Sequence, residues 1–419
     1  MKKEESSKDH VNSKLEATTE LWRISPYSFC NEVRSQMTLP KKLQICDLTL
    51  REGRQVEGVF LTQEEVLLLA EKLVEAGVTM FQSASRHAKE VAEIKRRFPH
   101  TTVDVLIPTN FVLDPVQCKP QIDTCVDHGA DIVEMPFVFS DSQMCLYDSM
   151  AGGRISREEA IDRALKSVSY AKSKASRVCC LIEDFMRMDL GFLKNVARKM
   201  VEAGASIIRL DDINTTAISP AYRYVVREVK KAFPDTTIAL HTHNDNGLGA
   251  ASLYAGVEGG AEIIDASVNG LGERAGIPAL AEVAAVMQIY YGIDTGIKLE
   301  KMKTLSQLVA DLTKYPVPPK MPYVGEQVFS HLTEGHYKTP VDGYWAYMFL
   351  RPSIFGNRQK TLLGAFSGPS VVRSMAKELG ITIPDDKLEA VAAQIRLETL
   401  WRKRKLQPED FLRIVEEVK

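Results

Sequence analysis

Two spacings of apolar residues take turns along this chain. Short runs rich in Val, Ile and Leu read as buried strands. Each is followed by a longer stretch with apolar positions three and four residues apart, the mark of an amphipathic helix. The rhythm opens with a strand from Leu43 to Leu50. Thr62-Gln63-Glu64-Glu65 then has capping-box spacing ahead of a helix that runs to Glu75. Ala76-Gly77 closes that helix, and Val78-Thr79-Met80-Phe81 is the next strand. Further strands are predicted over 102–107, 131–137, 177–182, 206–210, 236–241 and 262–268. They alternate with helices over 86–97, 117–128, 156–174, 190–203, 217–232, 247–258 and 279–291.

Eight such units over residues 43–292 predict an α/β fold, a (β/α)8 TIM barrel. An open doubly wound sheet is the rival, and eight regular units favour closure. Several helices end in a small-residue turn: Glu75-Ala76-Gly77-Val78, His128-Gly129-Ala130, Glu202-Ala203-Gly204-Ala205 and Glu258-Gly259-Gly260-Ala261. Glycine there suits a left-handed cap feeding a strand. Residues 1–42 read as a lead-in, polar to residue 20 and then carrying Trp22, Tyr27 and Phe29 to pack on the main body. Residues 293–322 hold a helix over 299–314 and the stiff run Tyr315-Pro316-Val317-Pro318-Pro319-Lys320-Met321-Pro322. A smaller, mainly helical C-terminal region spans 323–419 and ends in a helical pair broken at Gln407-Pro408.

Lys plus Arg number 53 against 55 Asp plus Glu, a net charge of −2, which gives no electrostatic footprint for nucleic acid or membrane. The seven cysteines, at 30, 46, 118, 125, 145, 179 and 180, form no CxxC and are odd in number, which points to free thiols in a reducing compartment. No apolar run is long enough to span a bilayer and the charged start has no signal-peptide core, so a cytoplasmic protein is expected.

In such a barrel, the strand C-termini and the loops after them carry the chemistry. The polar groups gather there: Asp47, Arg51 and Glu52; Gln82, Ser83 and Ser85; Glu183 and Asp184; Asp211 and Asp212; His241 and His243; Asn269, Glu273 and Arg274. His241 and His243 are two apart at a strand end, so both face one side while Thr242 faces away. With a carboxylate from the Asp47–Gly53 stretch they make a set able to hold a divalent ion that also binds substrate. Each residue also has a plain reading: Arg51 as a surface ion pair, Glu183 as a helix N-terminal carboxylate, Asn269 as a turn residue.

Three stretches carry a resemblance: Leu48-Thr49-Leu50-Arg51-Glu52-Gly53-Arg54-Gln55, His241-Thr242-His243-Asn244-Asp245, and Asn269-Gly270-Leu271-Gly272-Glu273-Arg274-Ala275-Gly276. In order and spacing they resemble the signatures of the DRE-TIM metallolyase superfamily, over about residues 43 to 368. The branch they most resemble is that of the Claisen-condensing acyltransferases, the 2-isopropylmalate, homocitrate and citramalate synthases. The resemblance implies a divalent metal (Mg2+, Mn2+ or Zn2+) on Glu52, His241 and His243, with Asn269 an outside candidate for a fourth ligand or supporting partner. It implies catalytic roles for Arg51, Glu183, His336 and Tyr347, with Tyr344 close enough to be confused with Tyr347. Gln55, Arg54, Asn269 and Glu273 would form the substrate-binding set, Arg54 holding a second acidic group unless it is a solvent-facing ion pair. Acetyl-CoA would be the co-substrate, a 2-oxo acid the acceptor, and a homodimer or dimer of dimers the assembly, with His336 entering the neighbouring subunit's site.

Two alternatives remain. A hydroxymethylglutaryl-CoA lyase-like enzyme would share the metal set but needs a cysteine in the loop after strand eight, and no cysteine follows Cys180. A non-catalytic metal-binding barrel is the other. Ile213-Asn214 in place of a threonine, Gln82 in place of a glutamate and Phe366 in place of a histidine indicate a rebuilt pocket, so none of the familiar substrates is assured. Glu52 and Ile277 lean towards the eukaryote-type homocitrate synthases.

Overall fold

A computed structural model of the chain describes residues 17–418 apart from residue 152 and residues 338–343. All eight predicted strands are present: β1 Gln44–Asp47, β2 Met80–Ala84, β3 Thr102–Leu106, β4 Ile132–Val138, β5 Arg177–Glu183, β6 Ile207–Asp212, β7 Thr237–Thr242 and β8 Ile263–Ala266. They pair in sequence order into a closed barrel. β8 returns to β1 in parallel, with Gln44 opposite Ile263 and Asp47 opposite Ala266. Closure is thus the observed outcome, not the open sheet.

Local sequence accounts for the element ends. The Thr62 hydroxyl accepts from the Glu65 amide at 3.2 Å, and the Glu65 carboxylate accepts from the Thr62 amide at 2.8 Å, completing the capping box. Gly77, Gly129, Gly204 and Gly260 take φ of 92°, 87°, 118° and 106°, the left-handed turns expected of them. β1 stops earlier than predicted. The Asp47 carboxylate accepts from the Thr49 amide at 2.9 Å, and the Leu48 carbonyl collects the amides of Arg51, Glu52 and Gly53 at 3.0, 2.7 and 3.2 Å. That turn winds residues Glu52–Gln55 into a short 3-10 helix over the barrel mouth. The helix predicted over 279–291 is α-helical only at Leu280–Ala285 and continues as a π-helical stretch, Val286–Tyr291.

Period-two alternation sorts the barrel interior into layers. Met80, Ile132, Ile207, Ala239 and Ile263 belong to a buried apolar layer with Cys46, Leu48, Cys179 and Ile277. Two residues further along the same strands stand Gln82, Glu134, Arg209, His241 and Asp265, all buried. The barrel is therefore apolar below and polar toward its C-terminal mouth.

The chain divides into two compact units, one holding residues from Tyr27 to Pro316 and the other residues 17–26 with residues from Val317 onward. The lead-in is thus split: Trp22 bridges to Leu350 and Arg23 lies over the Trp345 ring at 5.0 Å, rather than the whole lead-in packing on the barrel body. Three helices build the core of the C-terminal unit. Val371, Val372 and Met375 of Pro369–Glu378, Leu388, Val391 and Ile395 of Leu388–Arg402, and Phe411, Ile414 and Val415 of Pro408–Val418 meet on their apolar faces. No helix among the described residues is long and apolar enough to cross a membrane.

Two of the left-handed glycines separate conformational from steric need. A Cβ at Gly77 would lie 2.1 Å from the Gly296 carbonyl oxygen, whereas at Gly129 its nearest neighbour is Lys95 Cγ at 3.5 Å. Both alanine variants meet the left-handed penalty of about 1–2 kcal/mol, but Gly77→Ala must also displace backbone. Thermal unfolding should show Gly77→Ala melting clearly below Gly129→Ala; equal melting points would remove the close approach as the reason for glycine at 77.

Candidate active site

At the centre of the polar layer lies Arg209, fully buried on β6. Its Nη2 meets Asp104 of β3 at 2.9 Å, its Nη1 meets Asp265 of β8 at 3.0 Å, and its Nε lies 3.1 Å from Glu134 Oε2 of β4. Burial and the adjacent Glu134 push the Asp104 carboxyl well above the usual range. Asp104, Glu134 and Cys179 converge closely enough to suggest a metal pocket. Two facts argue against one: the guanidinium already supplies the cation, and burial keeps Cys179 a thiol.

Two arms run from this cluster to the mouth. Along one, Asp265 Oδ2 accepts from His241 Nδ1 at 2.9 Å; burial would lower the His241 imidazole, but Asp211 and Asp265 outweigh it and raise it. Along the other, the Gln82 amide donates to Glu134 Oε1 at 2.8 Å and its Oε1 accepts from Arg51 Nε at 2.5 Å.

At the mouth, His241 Nε2 and His243 Nε2 stand 3.3 Å apart, and His243 Nε2 lies 4.0 Å from Glu52 Oε1. Burial and the neighbouring His241 pull the His243 imidazole down to about 3, so it is neutral near pH 7. Burial alone would raise Glu52, but Arg51, His241 and His243 outweigh it and hold the carboxyl at about 2. Arg51 Nη1 is hydrogen-bonded to Glu52 Oε2. The Glu273 backbone amide donates to Glu52 Oε1 at 3.1 Å. Gln55 turns its amide nitrogen to the same carboxylate, 2.8 and 3.1 Å from its oxygens, and so engages Glu52. Asp211, opposite His241 in β7 and Glu183 in β5, is buried, and its Oδ1 has no partner among the described residues. Glu183 accepts from Gln143 at 3.3 Å, and burial raises its carboxyl.

Three expected substrate contacts point elsewhere. Arg54 pairs with Glu90 at 2.7 and 3.4 Å, both side chains largely buried, and Glu90 also lies 3.5 Å from His87. Asn269, left-handed at φ 59°, donates to the Ser306 carbonyl at 2.9 Å and accepts from the Ser306 hydroxyl at 2.5 Å. Its amide ties the strand-eight loop to helix Met302–Thr313 and is not free for a metal. Glu273 offers the site its amide, while its exposed carboxylate faces Arg274 at 3.5 Å.

His336 and Tyr347 lie in the C-terminal unit, their rings stacked at 3.8 Å and 18°. His336 Nδ1 and His331 Nδ1 are 3.1 Å apart, so one donates to the other. The Tyr344 side chain lies outside the described residues. Sequence reasoning missed Asp104, Glu134, Arg209 and Asp265. Their signal was a charged residue in mid-strand with apolar neighbours on both sides, as in Ile207-Ile208-Arg209-Leu210.

Asp47 gives a pH test. Its fully buried carboxyl is raised by burial to about 7, against the lowering effect of its bonds from Thr49. The folded state therefore keeps a proton that the unfolded chain releases near pH 4, and stability should fall as pH rises from about 4 to about 7. Melting curves across that range should show a decline that is smaller in Asp47→Asn; parallel curves would place the titration elsewhere.

The HMGL-like family model matches residues 42–309. The probable 2-isopropylmalate synthase of Ignicoccus hospitalis is 33% identical over 363 residues, covering 85% of this chain and 88% of that protein. The homocitrate synthase of Saccharolobus islandicus is 29% identical over 378 residues, covering 90% and 80%. Among solved structures, the HMG-CoA lyase of Bacillus subtilis superposes with a TM-score of 0.58 at 19% identity, covering 70% of this chain and 99% of that one, a likeness of fold alone. With every barrel strand and all three sequence signatures inside the matched span, this chain belongs to the HMGL-like family, the DRE-TIM group that those signatures resemble.

Proposed function

We propose that this protein condenses acetyl-CoA with a 2-oxo acid and water to give a 2-substituted malate and CoA. The observation that carries the reading is the convergence of Arg51, Glu52, His241 and His243 at the barrel mouth. The synthase relatives support it, as does a strand-eight loop, Gly270–Gly276, without the cysteine that a lyase would need.

The donor set fits a divalent cation. Two buried imidazoles turn Nε2 toward one another beside an ionised carboxylate, and Asp211 Oδ1 and His243 Nδ1 are buried without a hydrogen-bond partner among the described residues. Glu52, His241 and His243 would hold the ion, and when bound it polarises the carbonyl of a 2-oxo acid as a Lewis acid. Arg51 has given Nε to Gln82 and Nη1 to Glu52, so Nη2 is left to donate to the oxygen where negative charge develops. Gln55 and the Glu273 amide keep Glu52 in place.

Arginine stays charged and takes no proton at neutral pH. A separate base must remove a methyl proton from acetyl-CoA, and His336 fills that role, its ring set by Tyr347 and His331. The carbanion attacks the oxo carbon, the new alkoxide is protonated, and water cleaves the thioester to release CoA. Glu183, buried at the end of β5, assists proton transfer. A homodimer is the assembly in which His336 and Tyr347 would serve the partner's barrel.

Free-thiol release from acetyl-CoA against a panel of 2-oxo acids tests the reaction. At least one acid should give turnover, and His336→Ala should lower kcat by roughly 100-fold or more with little change in oxo-acid binding. Cleavage of a 3-hydroxyacyl-CoA without any condensation would overturn it. For the assembly, mixed Glu183→Ala and His336→Ala chains should regain activity after subunit exchange. No recovery despite demonstrated exchange would confine His336 to its own chain's site or remove it from catalysis.

A further inference from the structure

The catalytic cation and a metal-site histidine hang from the same buried group. Arg209 contacts three strands other than its own, and two of those contacts continue to the mouth: Arg209–Asp265–His241 and Arg209–Glu134–Gln82–Arg51. We propose that Arg209 is the positioning residue of this site, aiming His241 through Asp265 and Arg51 through Glu134 and Gln82. The inference rests on the condensation reading for its kinetic test alone.

The donor geometry explains why an arginine stands there. Nη1 and Nη2 donate to Asp265 of β8 and Asp104 of β3 at 3.0 and 2.9 Å, and Nε lies 3.1 Å from Glu134 Oε2 of β4 as an ion pair without hydrogen-bond alignment. A lysine ammonium is a single point charge and could not hold three strands in fixed directions. Fully buried, the guanidinium cannot be screened by water, so its partners are held tightly.

The Gln82 amide gives the second arm a direction. Its oxygen must face Arg51 Nε and its nitrogen must face Glu134; flipped, it would set N–H against N–H and oxygen against carboxylate. A glutamate at this position would bind Arg51 well but would stand 2.8 Å from Glu134, with Asp104 beside it. Two carboxylates at that distance cannot both ionise. Gln82 and Glu134 are therefore a matched pair: the carboxylate that backs Arg51 stands on β4, beside Arg209.

Exchanging the pair tests this. In Gln82→Glu, two carboxylates collide; in Glu134→Gln, an amide N–H or an unpaired carbonyl faces the wrong partner. Each single variant should lower kcat by ~10-fold or more while shifting acetyl-CoA KM less, as expected for a misaimed transition-state donor. In the double variant, Gln82→Glu with Glu134→Gln, the carboxylate now on β2 accepts from Arg51 and from the amide now on β4. The oxygen of that amide then faces Arg209. The exchange should return kcat to within ~3-fold of the parent, with melting temperature recovering in parallel. The other arm is read without turnover: Asp265→Asn should weaken Mn2+ or Zn2+ binding ~10- to 100-fold by titration, because Asp265 is the carboxylate that orients the His241 ligand. A folded double variant no better than its worse single, or full metal affinity in Asp265→Asn, would overturn the proposal. If no 2-oxo acid is condensed at all, the metal titrations and the melting cycle still decide it.

Discussion

One buried positive charge organises the inside of this barrel. A guanidinium out of contact with water is tolerated only with its partners in place, and removing one partner of such a group costs on the order of 3–5 kcal/mol. Arg209 has three, contributed by β3, β4 and β8. Each must stand in the same layer of the barrel, so the charge requirement and the strand register specify one another. A shift of β8 by one residue would turn Asp265 outward and bring Ile264 in. The polar layer thus works as a register lock above an apolar floor that would accept several alignments.

The same alternation divides the strand ends into two crews. Inward at the mouth are Glu183, Asp211, His241 and His243. Their outward neighbours build the loops that frame them. Asp212 binds the Tyr222 hydroxyl and the Thr216 amide, the latter at 2.7 Å, and Thr242 donates to the Gly249 carbonyl at 3.1 Å. Arg274 reaches from the strand-eight loop to Asp245 in the strand-seven loop at 2.8 Å. Chemistry and scaffold therefore share consecutive residues, and a slip of one position would exchange them.

Much of this was legible in the chain. Periodicity located every strand, because apolar runs between capping and glycine signals leave little freedom at these lengths. The motif residues Arg51, Glu52, His241 and His243 do meet at the mouth. What was not legible depended on partners distant in sequence. Arg54 looked available for substrate because nothing local shows Glu90 facing it. Asn269 looked like a site residue because its bond to Ser306 forms only after the chain has gone round the barrel and returned. Arg209 read as one charged residue in an apolar strand, since its three carboxylates come from three other strands.

The thiols carry one more consequence. Cys46, Cys118, Cys125, Cys179 and Cys180 are all buried, and burial raises each above the ordinary thiol range. Oxidants and alkylating agents attack the thiolate, and in the closed barrel these five neither ionise readily nor meet solvent. Only Cys145 is exposed and Cys30 half-buried. Damage at the five can then accumulate only while the wall is open, which makes their modification a slow chemical clock of how often this barrel breathes.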